Sequence, residues 1–327
     1  MLTACCYFLL CGVASAGGLK LQVPLRCGPT LDCSIQNFYD HDPGPGFRDY
    51  ACGHLGYDGH DGTDIRLPNL AVMRSGVPVL AAAAGTVRGI RDGMPDVSFR
   101  DGGVASIRGR EAGNAVALRH GGDWETQYSH LRMGSVRVRP GDMVNAGDIL
   151  GFVGLSGKTE FPHLHFEVRH RGIPVDPFVG LRRDKDCGIG VDPLWDGGAL
   201  RIFDYRPTGL LQAGFSTTAP DLSVVEAGDA AGSLRANAAA LLFWVEVFGV
   251  HKDDRETLWI TGPDDRVLAK RTSTISGNKA RWLSYAGRKL RDGSWPSGIY
   301  RGAYRLERDT THGKETILDL SRAIFVD

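Results

Sequence analysis

The chain has 327 residues, of which 42% are hydrophobic and 23% are charged. This composition is ordinary for a globular protein and excludes a disordered or fibrous chain, and the length favours two domains. Lys plus Arg and Asp plus Glu number 38 each, so a net charge of zero gives no sign of a nucleic-acid partner. The 44 glycines lie beside short apolar runs, which indicates a mainly β protein with tight turns.

Residues 1–16 have the features of an export signal. The apolar run Leu2–Val13 is too short to span a bilayer, and Ala14-Ser15-Ala16 is typical of a signal-peptidase site. No Lys or Arg precedes the run. A lipid anchor at Cys5 or Cys11 and a buried N-terminal strand are the alternatives. We expect an exported protein of the periplasm or cell wall, without membrane insertion once the signal is removed.

Four cysteines remain after such a signal is removed, namely Cys27, Cys33, Cys52 and Cys187. An even number in an exported chain favours two disulfides, and the sequence leaves all three pairings open. A cysteine metal site competes with this interpretation, but the chain has no CxxC pair.

Short apolar runs in residues 59–180 predict an antiparallel β domain. The runs are separated by Gly-Asp, Gly-Gly and Pro-Gly turns, as in antiparallel sheets. They are Val77–Ala81, Gly85–Ile90, Ala115–Leu118, Thr126–Leu131, Ile149–Val153 and His163–Val168. Residues 91–113 lack this pattern, which predicts a long hairpin excursion or surface loop. Residues 17–58 show no periodic element and are interpreted as a cysteine-containing lead-in that wraps the domain.

Residues 199–327 predict a second, β-sandwich-like domain, joined to the first by a connector at 181–198. Its strand-like runs are Leu241–Phe248, Thr257–Ile260 and Ile299–Tyr304, whose length and spacing suit a sandwich. The Ala-rich stretch Ala227–Ala240 predicts one short helix. We expect the large aromatic residues in the sandwich core rather than in a glycan-binding stripe. They are Trp244, Trp259, Trp282, Trp295 and Tyr300.

Four of the ten histidines, with one aspartate, indicate a catalytic metal site. His163 and His165 are two positions apart in a strand-like run, so both imidazoles project from one face and need polar partners or a metal. His60 and Asp64 add an imidazole and a carboxylate. Two imidazoles and one carboxylate suit zinc, and three protein ligands leave the fourth tetrahedral position for water. His130 lies between these two groups in the sequence.

Five blocks in this order resemble the lysostaphin-like (LytM-type) zinc metallopeptidases, which hydrolyse peptidoglycan. The blocks are His60–Ile65, Gly76–Val87, Gly113–Gly121 with Tyr128–Leu131, Val144–Gly154, and Pro162–Val168. The last block matches the family pattern P-H-L-H-F-E-V residue for residue. The resemblance covers residues 59–178, over a third of the chain.

The resemblance implies one zinc ion per chain, with His60, Asp64 and His165 as its ligands. It implies that His130 and His163 are the two catalytic imidazoles, and it leaves open which of them is the general base. The implied fold is a compact antiparallel β domain with a groove across the sheet. The implied activity is hydrolysis of peptide bonds in peptidoglycan cross-bridges or stem peptides.

Two other functions stay open at this point. A non-catalytic wall-binding or amidase-activating module has the same fold, although such modules typically lack metal ligands. A secreted protease acting on Gly-rich proteins is the weaker alternative. Phe161 departs from the family, which usually has a small residue there, and we expect the loop 156–161 to form a groove wall.

The remaining histidines receive structural interpretations. His120 follows a strand and is expected to hold a turn or to bond a site residue. His41 and His54 belong to the lead-in, and either could block the zinc in a latent form. His170, His251 and His312 are interpreted as solvated positions.

Overall fold

A computed structural model describes residues 18–26, 34–102, 107–228 and 232–327. The predicted signal at 1–16, together with Cys27 and Cys33, lies outside the described residues. Within them the chain is mainly β and its sheets are antiparallel except for one short edge pairing, so the predicted fold class is confirmed. Four short helices are also described, namely α1 (Leu70–Gly76), α2 (Phe99–Gly102), α3 (Gly197–Ile202) and α4 (Leu222–Ala227).

The N-terminal part of the fold contains ten described strands. They are β1 (Ser34–Asn37), β2 (Thr63–Arg66), β3 (Pro78–Leu80), β4 (Gly85–Arg91), β5 (Asn114–Arg119), β6 (Trp124–Leu131), β7 (Met143–Val144), β8 (Ile149–Phe152), β9 (His163–His170) and β10 (Ile173–Pro174). One antiparallel sheet has the order β1-β2-β9-β6-β5-β4-β7, with β10 added to β9, while β3 pairs with β8. Each predicted run of this region overlaps one of these strands.

The C-terminal part forms two further sheets. Its described strands are β11 (Gly209–Ser216), β12 (Ser233–Leu234), β13 (Ala240–Val250), β14 (Arg255–Thr261), β15 (Val267–Thr274), β16 (Lys279–Lys289), β17 (Gly298–Thr310) and β18 (Gly313–Val326). One sheet has the order β11-β13-β16 and the other β12-β18-β17-β14-β15. Their apolar faces share one core that includes Phe243, Trp295 and Tyr300, as the predicted sandwich requires.

Strand alternation separates a core face from a polar face in the larger sheet. In β9, Leu164 and Phe166 are fully buried in the hydrophobic core, whereas His163 and His165 point to the opposite face. The core also receives Phe248 of β13, so the C-terminal strands pack directly against the first core. The hydroxyl of Tyr205 donates to Asp49 Oδ2 at 2.8 Å across the same boundary.

Two expectations about the local structure were wrong. The lead-in is not free of regular structure, because β1 pairs antiparallel with β2 and forms an edge of the sheet. The helix expected within Ala227–Ala240 lies earlier, as α4 ends at Ala227. Gly228 stops the helix because it adopts a left-handed φ of 83°, and Ser233–Leu234 is already a strand.

Cys52 and Cys187 form a disulfide between the lead-in and the predicted connector. The excursion 91–113 joins the paired strands β4 and β5, as expected for a hairpin. Its Asp96 accepts hydrogen bonds from the backbone N–H groups of Met133 and Leu155, which fixes it to the loops beside the site. Among the helices of the described ranges, none is long and apolar enough to cross a membrane.

Candidate functional site

The predicted site residues meet on the polar face of the sheet. Asp64 of β2 pairs directly with His165 of the neighbouring strand β9, so these two side chains share one face. His60 lies in the turn before β2, and His130 comes from β6 on the other side of β9. Residues more than a hundred positions apart in sequence therefore become neighbours through strand pairing.

Three side-chain atoms converge on one point. Nε2 of His60 lies 3.2 Å from Oδ1 of Asp64 and 3.3 Å from Nδ1 of His165, and Nδ1 of His165 lies 2.9 Å from the same Oδ1. Zinc bonded at about 2.0–2.1 Å in a tetrahedral site separates its ligand atoms by about 3.3 Å. The three residues thus form a group that can hold a metal ion.

One hydrogen bond on the outer side of the His60 ring fixes which nitrogen faces the site. Nδ1 of His60 lies 2.7 Å from the carbonyl oxygen of Phe38, which can only accept, so Nδ1 carries the proton. Nε2 is therefore the ring nitrogen that faces the carboxylate of Asp64, and it can bind a metal ion once it has lost its proton. A group of converging acceptors requires a positive charge among them, which a divalent cation supplies.

The electrostatics of the protein alone agree with this requirement. Burial raises the pKa of Asp64, but the charges of His60 and His163 outweigh burial and hold the pKa well below its usual range. Burial lowers the pKa of His165, but the hydrogen bonds and charges of Asp61 and Asp64 prevail and raise it to about 10. The site thus keeps an ionised carboxylate and attracts positive charge.

Two further imidazoles stand beside this group. The ring centroids of His130 and His163 are 4.7 Å apart, and that of His130 is 5.9 Å from the His165 centroid. Nδ1 of His130 donates to the carbonyl oxygen of Ser156 at 2.8 Å, and Nδ1 of His163 donates to that of Phe161 at 2.9 Å. These bonds use Nδ1 of each ring and leave Nε2 on the side of the metal group. Burial, followed by the charges of His163 and His165, holds the pKa of His130 well below its usual range.

His130 reaches this face through an uncommon backbone conformation. Ser129 pairs with His165 and shares its face, so regular alternation would turn the next residue toward the core. His130 instead has a φ of 62°, in the left-handed region that costs a non-glycine residue about 1–3 kcal/mol. This conformation breaks the alternation and lets the side chain face His163.

Sequence reasoning missed the residues that support the site from outside. Nδ2 of Asn37 donates to Oδ2 of Asp64 at 2.8 Å, and the carbonyl of Phe38 holds His60. Both belong to the lead-in, where no motif or period marked them. Oδ1 of Asp61 lies 3.5 Å from Nε2 of His165. Its place inside the block His60–Ile65 was the one available signal.

The loop 156–161, which we expected to form a groove wall, also holds the two outer imidazoles in place. Its carbonyls at Ser156 and Phe161 orient both outer imidazoles. The ring of Phe161, which departs from the family pattern, packs between His163 at a centroid distance of 4.6 Å and the guanidinium of Arg66 at 4.5 Å. A large side chain is accommodated there because Arg66 is buried and needs a partner.

The other histidines mostly fit their structural interpretations. His120 is buried, and its ring bonds the Ala84 carbonyl and the Thr126 hydroxyl. His41 bonds Asp176, and His54 contacts the ring of Phe47. His251 and His312 are exposed, but His170 is only half-exposed because its ring packs on Trp124.

Comparison with known proteins gives a consistent result for this part of the chain. Residues 58–177 match the sequence model of Peptidase family M23. The DD-carboxypeptidase/endopeptidase Mpg of Neisseria meningitidis is 36% identical over 105 residues, which are 32% of this chain and 22% of that protein. The peptidoglycan DD-endopeptidase ShyA of Vibrio cholerae is 38% identical over 85 residues, which are 26% of this chain and 19% of that protein.

The matched segment spans about a fifth of the length of these relatives. A solved structure of the catalytic domain of the prophage-encoded M23 protein EnpA from Enterococcus faecalis, in mutant form, is 25% identical. It covers 46% of this chain and 92% of its own, with a TM-score of 0.32. By this sequence match, which covers residues 58–177, this part of the chain is similar to peptidase family M23.

Proposed function

We propose that the protein is an exported zinc metalloendopeptidase that hydrolyses peptide bonds in peptidoglycan cross-bridges or stem peptides. The observation that carries this proposal is the convergence of His60 Nε2, Asp64 Oδ1 and His165 Nδ1 within 3.3 Å of one another. The family match and the two relatives named as endopeptidases support a peptidase that acts on peptidoglycan.

In this proposal His60, Asp64 and His165 hold one zinc ion. A bound zinc ion acidifies a coordinated water and polarises the carbonyl of the scissile bond. The remaining work falls to the chain itself. Asn37 and the Phe38 carbonyl keep Asp64 and His60 in place, because oriented outer partners preserve the geometry of metal ligands.

The two outer imidazoles, His130 and His163, have different roles in this proposal. With its Nδ1 proton committed to the Ser156 carbonyl, His130 offers Nε2 as an acceptor, which suits a general base. Nε2 of His163 lies 3.4 Å from Oδ1 of Asp64, at the edge of the group that would hold the metal, where an N–H could reach a bound carbonyl oxygen. We therefore assign His163 to donate a hydrogen bond to the developing oxyanion.

Export is part of the proposal. The A-x-A sequence at Ala14–Ala16 and the disulfide between Cys52 and Cys187 support passage into an oxidising compartment.

The function is tested by mass analysis of the fragments that the full-length mature protein releases from purified sacculi. We expect new amino and carboxyl termini within peptide strands, loss of release after chelation, and recovery with zinc. A Gly-rich protein substrate, digested in parallel, tests the weaker alternative. Intact sacculi combined with stoichiometric zinc binding would contradict the proposal.

Gly62 supplies a separate prediction about the metal. A Cβ atom at Gly62 would lie 2.7 Å from Cε1 of His165 and 2.8 Å from the Phe166 carbonyl oxygen. We expect Gly62→Ala to displace His165 and weaken zinc binding by about 10- to 100-fold, as measured by competition with a chelating dye. Gly89→Ala is the control, since no atom lies within 4 Å of its added Cβ. Equal zinc affinity of both variants would show that His165 is not a ligand.

A further inference from the structure

A cleft of about 520 Å³ separates the edge strand β1 from the C-terminal strands. Gln36 and Asn37 of β1 and the segment 53–56 line one side of the cleft. The other side is formed by Tyr205, Pro207 and residues 248–251 and 278–280. Its volume falls within the range of small-molecule and short-peptide sites.

One side chain connects this cleft to the metal group. Asn37 lines the cleft, and its Nδ2 donates to Oδ2 of Asp64 at 2.8 Å. Gln36, also in the lining, accepts from Nη1 of Arg66 at 2.5 Å. Arg66 in turn pairs with His163 in the sheet, so Gln36 and Asn37 connect the lining of the cleft to the strands that hold the site residues.

The lining combines apolar surface with nitrogen donors. Phe47, Leu55 and Phe248 provide apolar surface, while His54, His251 and Lys279 provide donors. No carboxylate belongs to the lining among the described residues. Lys279 is exposed at the rim, and within the described ranges it has no ion-pair partner. A positive charge on a partly apolar wall favours an anionic ligand with aliphatic groups.

The groups around His251 determine what this side chain can offer a ligand. Partial burial of the ring, and next the charge of Arg308, lower the pKa of His251. Arg308 itself is held by the carboxylate of Asp254. At neutral pH His251 therefore offers a neutral imidazole that can donate one hydrogen bond, and Lys279 supplies the permanent charge.

We propose that this cleft is a subsite for an acidic peptide segment of the substrate, bound next to the bond to be cleaved. The inference rests on the proposed peptidase function and deepens it. Peptidoglycan stem peptides combine free carboxylates with short aliphatic side chains, which match the two kinds of surface in the cleft. The C-terminal strands would thereby form one wall of the substrate site, with Lys279 binding a carboxylate.

The test measures binding separately from hydrolysis. The probe is the N-acetylated tripeptide alanyl-γ-glutamyl-diaminopimelate with free carboxylates, titrated calorimetrically into the zinc-loaded full-length protein. The same tripeptide with every carboxylate amidated is the matched ligand. We expect the free acid to bind at least tenfold more tightly. Lys279→Gln should weaken that binding about fivefold, which is the effect expected of a single exposed charge pair. The double variant Lys279→Gln with His251→Gln should weaken it about tenfold or more.

Lys270→Gln is the control variant, because Lys270 is exposed on β15 and does not line the cleft. Equal binding of the acid and amidated peptides, or equal loss in the Lys279→Gln and Lys270→Gln variants, would overturn the subsite. Hydrolysis of sacculi, assayed in parallel, separates the two proposals. Binding as expected without hydrolysis would contradict the peptidase and leave the acidic-peptide site standing.

Discussion

Asp64→Ala should remove both the metal and the activity. Oδ1 of Asp64 is the atom shared by the distances to His60 and His165, and it supplies the only negative charge among the three converging atoms. Without it, two neutral imidazoles bind zinc far more weakly. We expect zinc content to fall from one ion per chain to below a tenth after gel filtration, as measured by elemental mass spectrometry, with no detectable release of peptides from sacculi.

The control for this loss is Asp319→Ala. Asp319 is an exposed carboxylate that pairs with Arg305, and such surface pairs contribute at most about 1 kcal/mol. That variant should keep full zinc and full hydrolysis. Stoichiometric zinc in the Asp64→Ala protein would show that the ion binds elsewhere. Lack of stoichiometric zinc in the unaltered protein would favour the non-catalytic binding module.

His163→Ala should separate chemistry from metal binding. His163 contacts Asp64 but is not one of the three converging residues, so we expect zinc binding to change less than tenfold. The rate of hydrolysis at saturating substrate should fall by about 10²–10⁴-fold, the usual contribution of a positioned acid or base. Zinc content and kcat are measured on the same preparation.

His312→Ala is the matched control because His312 is exposed in the described structure and far along the chain from the site. A thermal unfolding curve for each variant excludes loss of fold as the cause of inactivity. Unchanged turnover in the His163→Ala protein would refute the role assigned to this imidazole. Complete zinc loss would instead place it in the metal group.

The sequence alone predicts those parts of the site that depend only on the spacing of residues within one strand. The i, i+2 spacing of His163 and His165 predicts a shared face in any strand, and the structure has that arrangement in β9. The partner strand was not predictable from spacing. The pairing of Asp64 with His165 depends on which strands become neighbours, and that is decided by long-range packing rather than by either segment alone.

Two other features of the site could not be predicted from local sequence patterns. Alternation along β6 would have turned His130 away from His163, and only its left-handed φ of 62° corrects this. Histidine is enriched at positive φ relative to most residues, but this preference is too weak to identify one position, and glycine is the residue that usually marks such a conformation. The carbonyls that orient the imidazoles are likewise invisible in a sequence because every residue has one.

The edge strand β1 bears on how much of the chain a functional fragment of this protein must include. The family match starts at residue 58, yet the amide of Asn37 and the carbonyl of Phe38 lie upstream of it. A recombinant fragment that begins at residue 58 would retain the four imidazoles and the carboxylate of the site. It would lose the hydrogen bonds that hold Asp64 and His60 in place. Such a minimal domain should need markedly more zinc for saturation than the longer protein, although every residue of its signature motifs is intact.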